Sequence, residues 1–192
     1  GSSGIKAVKG IISVTDTDSQ DALTNASHIV ASFNPRVSGA ADVEGYVPVE
    51  LFETLSGNIG YKAIGTSLRT LSNTASADAC DFVNFATGTT AVLSMPPSST
   101  VRKAYLYWGG SGEEGDLDDS VTFGLSGAEI SVTADETFMI ENVGASLDYF
   151  AGYKDVTSQV TGNGTYVLQD LVVQEDAPWS NTEGCGGGWA LV

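Results

Sequence analysis

A chain of 192 residues, 42% of them apolar, is long enough for one large β domain with its own packed core. Its 24 acidic residues against 8 basic ones give a net charge of −16, which repels nucleic acid and anionic membrane surfaces. No stretch approaches the roughly 20 apolar residues of a membrane-spanning helix, so we expect neither nucleic-acid binding nor membrane insertion.

The first patterned segment, residues 5–14, alternates with the period of a β-strand. Val8, Ile12 and Val14 fall on one face. Two interpretations stay open. The segment is the first strand of the domain, or it is a detachable arm that adds to a neighbouring subunit.

The sequence predicts an N-terminal strand or arm over residues 1–20 and a β-sandwich domain over residues 21–192. Residues 21–29 are the best helical candidate, and that candidate is short. Further strands are predicted at residues 47–52, 58–64, 66–71, 82–86, 90–95, 102–108, 120–125, 128–133, 136–140, 149–156, 164–173 and 189–192. Turn signals such as Gly109-Gly110 and Asn163-Gly164 separate most of them. We therefore predict an all-β fold, a β-sandwich or barrel, with at most one short helix.

The two cysteines, Cys80 and Cys185, both lie in polar, turn-like segments. We predict a disulfide between them, since a lone exposed thiol in such a setting is a liability. The alternative is two unrelated buried thiols.

The densest acidic run contains Asp116, Asp118 and Asp119. Clustered carboxylates in a flexible loop are the ligands that Ca²⁺ prefers, so these three residues are a candidate calcium site. The run lacks the spacing of an EF-hand loop, and a solvated acidic loop is the alternative.

Aromatic residues offer a possible sugar platform. Alternation places Tyr105 and Tyr107 on one face of a strand, and Leu106 and Trp108 on the other, so one of the two faces belongs to the core. Trp179, beside a proline in a polar segment, is the ring that we expect to be exposed.

Catalytic motifs are sparse. The single histidine, His28, is the one imidazole that a Ser-His-acid or Cys-His mechanism could use. No nucleophile elbow or zinc-ligand spacing accompanies it. A carboxylate pair of the glycosidase kind stays open, since its two members need not be close in sequence. We nevertheless expect no enzymatic activity.

The last residues, 187–192, form a glycine-rich turn followed by an apolar strand containing Trp189 and Leu191. No closing turn follows this strand, so we expect its two sides to be unpaired. Unpaired strand edges invite pairing with another chain.

Several phrases occur in a distinctive order: Gly57-Asn58-Ile59, residues 101–112, Asp155-Val156-Thr157, Gly164-Thr165-Tyr166 and residues 187–192. In this order they resemble a family of secreted bacterial surface proteins that occur as modules before repetitive adhesin-like domains. The resemblance covers residues 57–192 and implies a jelly-roll, galactose-binding-like sandwich without catalytic residues. In that family the last strand continues into further sheet, which implies a processed fragment or a strand supplied from elsewhere.

The cysteines, the acidity and the richness in Ser, Thr and Gly favour an extracellular location. We expect a structural subunit of a surface filament or pilus-like fibre, a homopolymer built by β-strand addition. Its interface would join Val8, Ile12 and Val14 of one copy to Trp189 and Leu191 of the next. The alternative is a monomeric adhesin or carbohydrate-binding module that binds glycans through Trp179 and has a calcium-braced loop. Apart from calcium, no cofactor is expected.

Overall fold

The computed structural model describes residues 52–70, 80–141 and 147–192. The chain divides into two compact units, Gly1–Tyr61 and Lys62–Val192, and every described strand belongs to the second. The boundary expected between residues 20 and 21 therefore falls inside the first unit. The predicted arm and the predicted helix at residues 21–29 lie outside the described ranges.

The described ranges contain nine strands in two antiparallel sheets. The strands are β1 (Ile64–Ser67), β2 (Thr89–Leu93), β3 (Tyr105–Ser111), β4 (Ser120–Leu125), β5 (Ile130–Thr133), β6 (Glu136–Ile140), β7 (Tyr149–Asp155), β8 (Gly164–Gln169) and β9 (Gly187–Leu191). Two single turns of 3-10 helix, Glu114–Asp116 and Ser180–Thr182, accompany them. Within these ranges, no helix has the length and apolarity needed to cross a bilayer.

The two sheets have the strand orders β1-β9-β3-β7-β6 and β2-β8-β4-β5. With β6 set aside, the other eight strands follow the jelly-roll arrangement of two four-stranded sheets. β6 is an additional strand that widens the first sheet beyond β7. The predicted all-β sandwich is thus confirmed for the described part of the chain.

The core lies between the sheets because their inward positions are apolar. On β3, Leu106 and Trp108 are 0% and 3% exposed, whereas Tyr107 between them is 40% exposed. This is the alternation that the sequence predicts, with the Leu106–Trp108 side turned to the core.

Three aromatic residues occupy the centre of the sandwich. The ring of Phe123 on β4 lies 5.8 Å from Tyr166 and 6.0 Å from Trp189. Both polar aromatic groups have partners, as burial requires. The Trp189 indole donates a hydrogen bond to Thr89 Oγ1 at 2.8 Å, and the Tyr166 hydroxyl donates to the carbonyl of Gly162 at 2.8 Å.

The turn predicted at Gly109-Gly110 is wrong, because β3 runs through both glycines to Ser111. A side chain at Gly110 would collide with Val173 and with the carbonyl of Gly186. Glycine is needed here because another segment of backbone passes close to the strand, and not because the chain reverses.

The expectation that the strand containing Trp189 and Leu191 is unpaired is also wrong. β9 lies between β1 and β3 and is antiparallel to both, with Trp189 opposite Thr66 on one side and Trp108 on the other. A strand pattern in the sequence indicates the alternation of faces but carries no information on lateral neighbours. Both neighbours of β9 come from much earlier in the same chain.

Candidate functional site

The predicted disulfide is confirmed: Cys80 and Cys185 are bonded, with their Cα atoms 5.1 Å apart. The bond links the segment that precedes β2 to the start of β9. Cys185 packs in a small apolar cluster with Leu147 and Trp179. We call this part of the molecule the disulfide end.

The prediction that Trp179 is exposed is wrong, because its side chain is only 2% exposed. Its indole nitrogen donates a hydrogen bond to the carbonyl of Asp148 at 3.0 Å, and its ring packs against Leu147 and Cys185. The loop that carries Trp179 folds back onto the disulfide end. No periodic pattern in the sequence indicates this contact. A sugar cannot stack on this ring.

Ser111 holds the same end of the molecule together and was not singled out from the sequence. It is fully buried at the end of β3, and its hydroxyl donates to the carbonyl of Gln174 at 2.6 Å. The carbonyl of Gly186 lies 3.2 Å from the same hydroxyl. The loop before β9 is therefore fixed to the sheet by a buried polar residue as well as by the disulfide.

Of the three predicted calcium ligands, Asp118 makes hydrogen bonds within the fold. In the described ranges no three His, Cys, Asp or Glu side chains, Asp116 and Asp119 included, form a group that could hold a metal ion. The Asp118 carboxylate accepts backbone hydrogen bonds from Val172 at 2.7 Å and Ser120 at 3.3 Å. Burial raises the pKa of Asp118. Calcium binding stays a prediction from sequence.

The five residues of the predicted subunit interface fall into two groups. Val8, Ile12 and Val14 lie outside the described residues. Trp189 and Leu191 are 5% and 3% exposed and belong to the core of their own chain. These two residues therefore offer no open edge to a neighbour.

An exposed row of rings crosses the outer face of the five-stranded sheet. Tyr107 of β3 lies opposite Tyr153 of β7, with ring centroids 6.0 Å apart, and Phe138 of β6 lies 6.4 Å from Tyr153. We call these three residues the aromatic ridge. Tyr107 and Phe138 are 40% and 41% exposed. Burial, together with the nearby Tyr153, raises the pKa of Tyr107, so its phenol is neutral at physiological pH.

An open groove of about 320 Å³ lies beside the aromatic ridge. It is lined by Tyr107, Trp108, Gly109, Ala151, Gly188, Trp189 and Ala190. This lining is almost wholly apolar, whereas small-molecule sites combine apolar walls with a few polar groups that orient the ligand. We call it the sheet groove.

The charged side chains near the end of β7 are paired. Lys103 Nζ lies 2.9 Å from an Asp155 carboxylate oxygen, and Lys154 Nζ lies 2.6 Å from one of Asp135. A hydrogen bond from the Thr157 hydroxyl and the pairing with Lys103 lower the pKa of Asp155 to about 2. Each of these two lysines is therefore balanced by one aspartate.

The β6 edge of the five-stranded sheet is apolar on its outer face. Within the described ranges, β6 pairs with β7 alone. Phe138 and Ile140 point outward and are 41% and 62% exposed, while Met139 between them packs against the core. In the sequence Phe138, Met139 and Ile140 are consecutive apolar residues, and this run does not indicate which of them face solvent. An open edge, however, is a property of the sheet and not of one strand.

Comparison with known proteins found no matching family model, no matching curated protein and no matching solved structure.

Proposed function

We propose that the chain is a structural subunit of an extracellular surface assembly whose copies are joined by β-strand addition. In this proposal the N-terminal arm, residues 1–20 of one copy, adds to the β6 edge of the next. The observation that carries the proposal is the β6 edge itself, a strand paired with β7 alone in the described ranges and lined by exposed Phe138 and Ile140. Apolar open edges favour pairing with another strand.

Three other strands end a sheet in the described ranges, and each is less suited to accept a partner. β1 and β5 have four residues each, and β2 has one strongly exposed apolar side chain, Val92 at 66%. β6 has five residues and two such side chains on one face. Since each pairing of apolar side chains across adjacent strands stabilises a sheet, β6 has the most to gain from a new neighbour.

Charge supports the same pairing. Lys6 and Lys9 are the charged residues of the alternating part of the arm, residues 5–14, which gives this part +2, whereas Asp16 and Asp18 bring the whole arm, residues 1–20, to zero. The rest of the chain then has six basic and 24 acidic residues, or −18. Glu136 and Glu141 flank the β6 edge and are exposed. A cationic, alternating strand fits an acidic, apolar edge, and opposite charges speed the encounter.

An extracellular location is consistent with the disulfide, because disulfides persist in oxidising compartments and are rare in reducing ones. The excess of 24 acidic over 8 basic residues also suits an exterior exposed to salt. The disulfide and the acidic balance both support an extracellular compartment, and neither indicates a particular host.

The alternative function, a carbohydrate-binding module, would have to use the aromatic ridge, since Trp179 is buried. The apolar lining of the sheet groove favours a protein neighbour over a sugar, because sugar hydroxyls left without hydrogen-bond partners weaken binding.

The experiment compares Ile140→Lys with Val92→Lys in the full chain. Both residues lie on edge strands, and their exposures are 62% and 66%. Both substitutions add the same charge. Negative-stain microscopy and sedimentation velocity should show assemblies for the unaltered chain and for Val92→Lys. Ile140→Lys should be monomeric, because a lysine there removes the apolar contact and repels the cationic alternating part of the arm.

The arm is tested from its own side with Ile12→Lys, which should abolish assembly as Ile140→Lys does. A chain that stays monomeric at every concentration, or assemblies that survive both substitutions, would contradict strand addition at β6.

A further inference from the structure

Asn163, the residue before β8, binds the backbone beyond the end of β2 through both polar atoms of its side-chain amide. The backbone N–H of Met95 donates to Asn163 Oδ1 at 2.7 Å, and Asn163 Nδ2 donates to the carbonyl of Met95 at 3.2 Å. The backbones of β2 and β8 pair as far as Leu93 and Gly164. The amide therefore takes the place of a peptide group and continues the ladder beyond the last backbone pair. We call these two hydrogen bonds the amide clamp.

The fold requires both residues of the dipeptide Asn163-Gly164. The clamp uses a donor and an acceptor on one side chain, and an aspartate would keep the acceptor but lose the donor. A side chain at Gly164 would collide with Leu125 of β4. This is the one place in the chain where asparagine precedes glycine.

An Asn-Gly pair is chemically reactive, because a glycine without a Cβ leaves its own backbone nitrogen unhindered. The nitrogen of Gly164 loses its proton and attacks Cγ of Asn163. A bond forms between these two atoms, the Cγ–Nδ2 bond breaks, and Nδ2 leaves as ammonia, which takes up the proton. Water then opens the succinimide ring at either bond from its nitrogen to a carbonyl carbon, which gives aspartate or isoaspartate. No reactant other than water is needed.

The amide clamp opposes this reaction. It fixes the side-chain torsion angles of Asn163, whereas ring closure requires Cγ to rotate onto the nitrogen of Gly164. The clamp is also the last contact between β8 and this end of β2, since Pro96 and Pro97 follow Met95 and have no N–H to donate. In the described ranges β2 is an edge strand. Strand ends at a sheet edge open locally at a lower free energy than the whole domain.

We propose that Asn163 is a site of spontaneous deamidation that the amide clamp holds in check, so that the modification occurs when the end of β2 opens. An aspartate product has no donor for the carbonyl of Met95 and places a negative oxygen against it. An isoaspartate product adds a carbon to the main chain directly before β8. Either product prevents the clamp from forming again, so a transient opening becomes permanent. This chemistry does not depend on the proposed strand addition.

The first experiment measures deamidation of the full chain by peptide mapping and mass spectrometry at mildly alkaline pH. Asn163 should react at least about tenfold more slowly in the native chain than in the same chain unfolded in urea, since the clamp has to open first.

The place of opening is tested by comparing Leu93→Ala with Leu191→Ala. Both substitutions remove the same side chain from a buried position, 6% and 3% exposed, but Leu93 lies opposite Gly164 and Leu191 belongs to the other sheet. Leu93→Ala should speed deamidation of the native chain by about tenfold or more, and Leu191→Ala should change it by less than about twofold. Circular dichroism verifies that each variant is folded.

The effect of the product is tested with Asn163→Asp, and Asn84→Asp is the matched control. Both residues are exposed and both changes add one negative charge. The Asn84 amide accepts a hydrogen bond through Oδ1 from the N–H of Ala86 at 3.0 Å, which a carboxylate also accepts. Asn163→Asp should therefore lower the Tm by about 2–4 °C more than Asn84→Asp does.

Three results would overturn the proposal. Asn163 could react as fast in the native chain as in urea, or not at all in either. Leu191→Ala could speed the reaction as much as Leu93→Ala, which would mean that the whole domain unfolds first. Asn163→Asp could be as stable as Asn84→Asp, which would remove the role of the clamp. The first and third results do not depend on the alanine variants being folded.

Discussion

The disulfide end and the β6 edge are two margins of the sandwich, and they differ in how far their side chains are buried. At the disulfide end, Cys185, Trp179 and Ser111 are 8%, 2% and 0% exposed. At the β6 edge, Phe138 and Ile140 remain 41% and 62% exposed. One margin is closed by covalent, apolar and hydrogen-bonding contacts, and the other presents apolar side chains to solvent.

The difference indicates which residues stabilise the fold and, under the proposed strand addition, which residues would mediate association. Residues of the closed margin contribute to folding, because their removal exposes buried surface or leaves polar groups without partners. Residues of the open margin contribute little to folding, and under the proposed strand addition they would contact the next copy. Substitutions at the two margins should therefore separate the free energy of unfolding from the tendency to assemble.

The largest expected effect is on stability, from the double substitution Cys80→Ser and Cys185→Ser. The bond spans 105 positions of sequence, and a closed loop of that length stabilises the folded state by about 4–5 kcal/mol through the entropy of the unfolded chain. Guanidinium unfolding should report a loss of that size. The matched measurement is reduction of the unaltered protein with dithiothreitol, and a midpoint unaffected by both treatments would refute the role given to the bond.

The second effect contrasts two aromatic residues. Trp179→Ala should lower the free energy of unfolding by about 3–5 kcal/mol, since it empties a buried site and removes the hydrogen bond to Asp148. Phe138→Ala should cost about 1 kcal/mol or less, because much of its ring is already in solvent. Self-association should respond in the reverse order. Equal stability losses at the two positions would remove the distinction between the margins.

The smallest expected effect concerns acid, and it comes from Asp155 in the ion pair with Lys103. The pKa of Asp155 is about 2 in the folded protein, below the ordinary aspartate value of 3.8. The unfolded chain thus binds more protons in this window. The stabilisation is present above pH 3.8 and is lost as the pH falls through the folded value. The effect is small because the Asp155 side chain is 37% exposed.

Thermal unfolding of the unaltered protein and of Asp155→Asn tests this dependence. The unaltered protein should have the higher Tm above pH 4, and the difference should vanish near pH 2. Comparing the two proteins isolates Asp155 from Asp118, whose pKa is raised by burial and whose contribution has the opposite sign. A difference that is constant from pH 2 to pH 6 would exclude Asp155 as its source.

Local patterns in the sequence predicted much of the fold. The strands at Ser120–Leu125 and Glu136–Ile140 have the predicted bounds, and the alternation through Leu106 and Trp108 assigns the correct face to the core. These features depend on the period of a strand, which a few consecutive residues specify. The Cys80–Cys185 pair was predictable because the chain has two cysteines and hence one pairing.

Non-local contacts were not predictable in this way. The position of β9 depends on which strands lie beside it, and the burial of Trp179 depends on a loop that folds onto Leu147. The open face of β6 follows from the sheet order, which no single strand specifies. The incorrect predictions on β9 and Trp179 therefore concern features that depend on contacts between distant segments. The aromatic ridge likewise forms only because β3, β7 and β6 lie side by side.

The central place of β9 has a consequence for biogenesis. β1 and β3 do not pair with each other, and the strand that joins them is the last of the described strands to be synthesised. In a chain synthesised from its N-terminus, this sheet cannot be completed until residues 187–191 emerge. Since contacts between distant segments slow the search for the native state, closure of the five-stranded sheet should be a late step of folding.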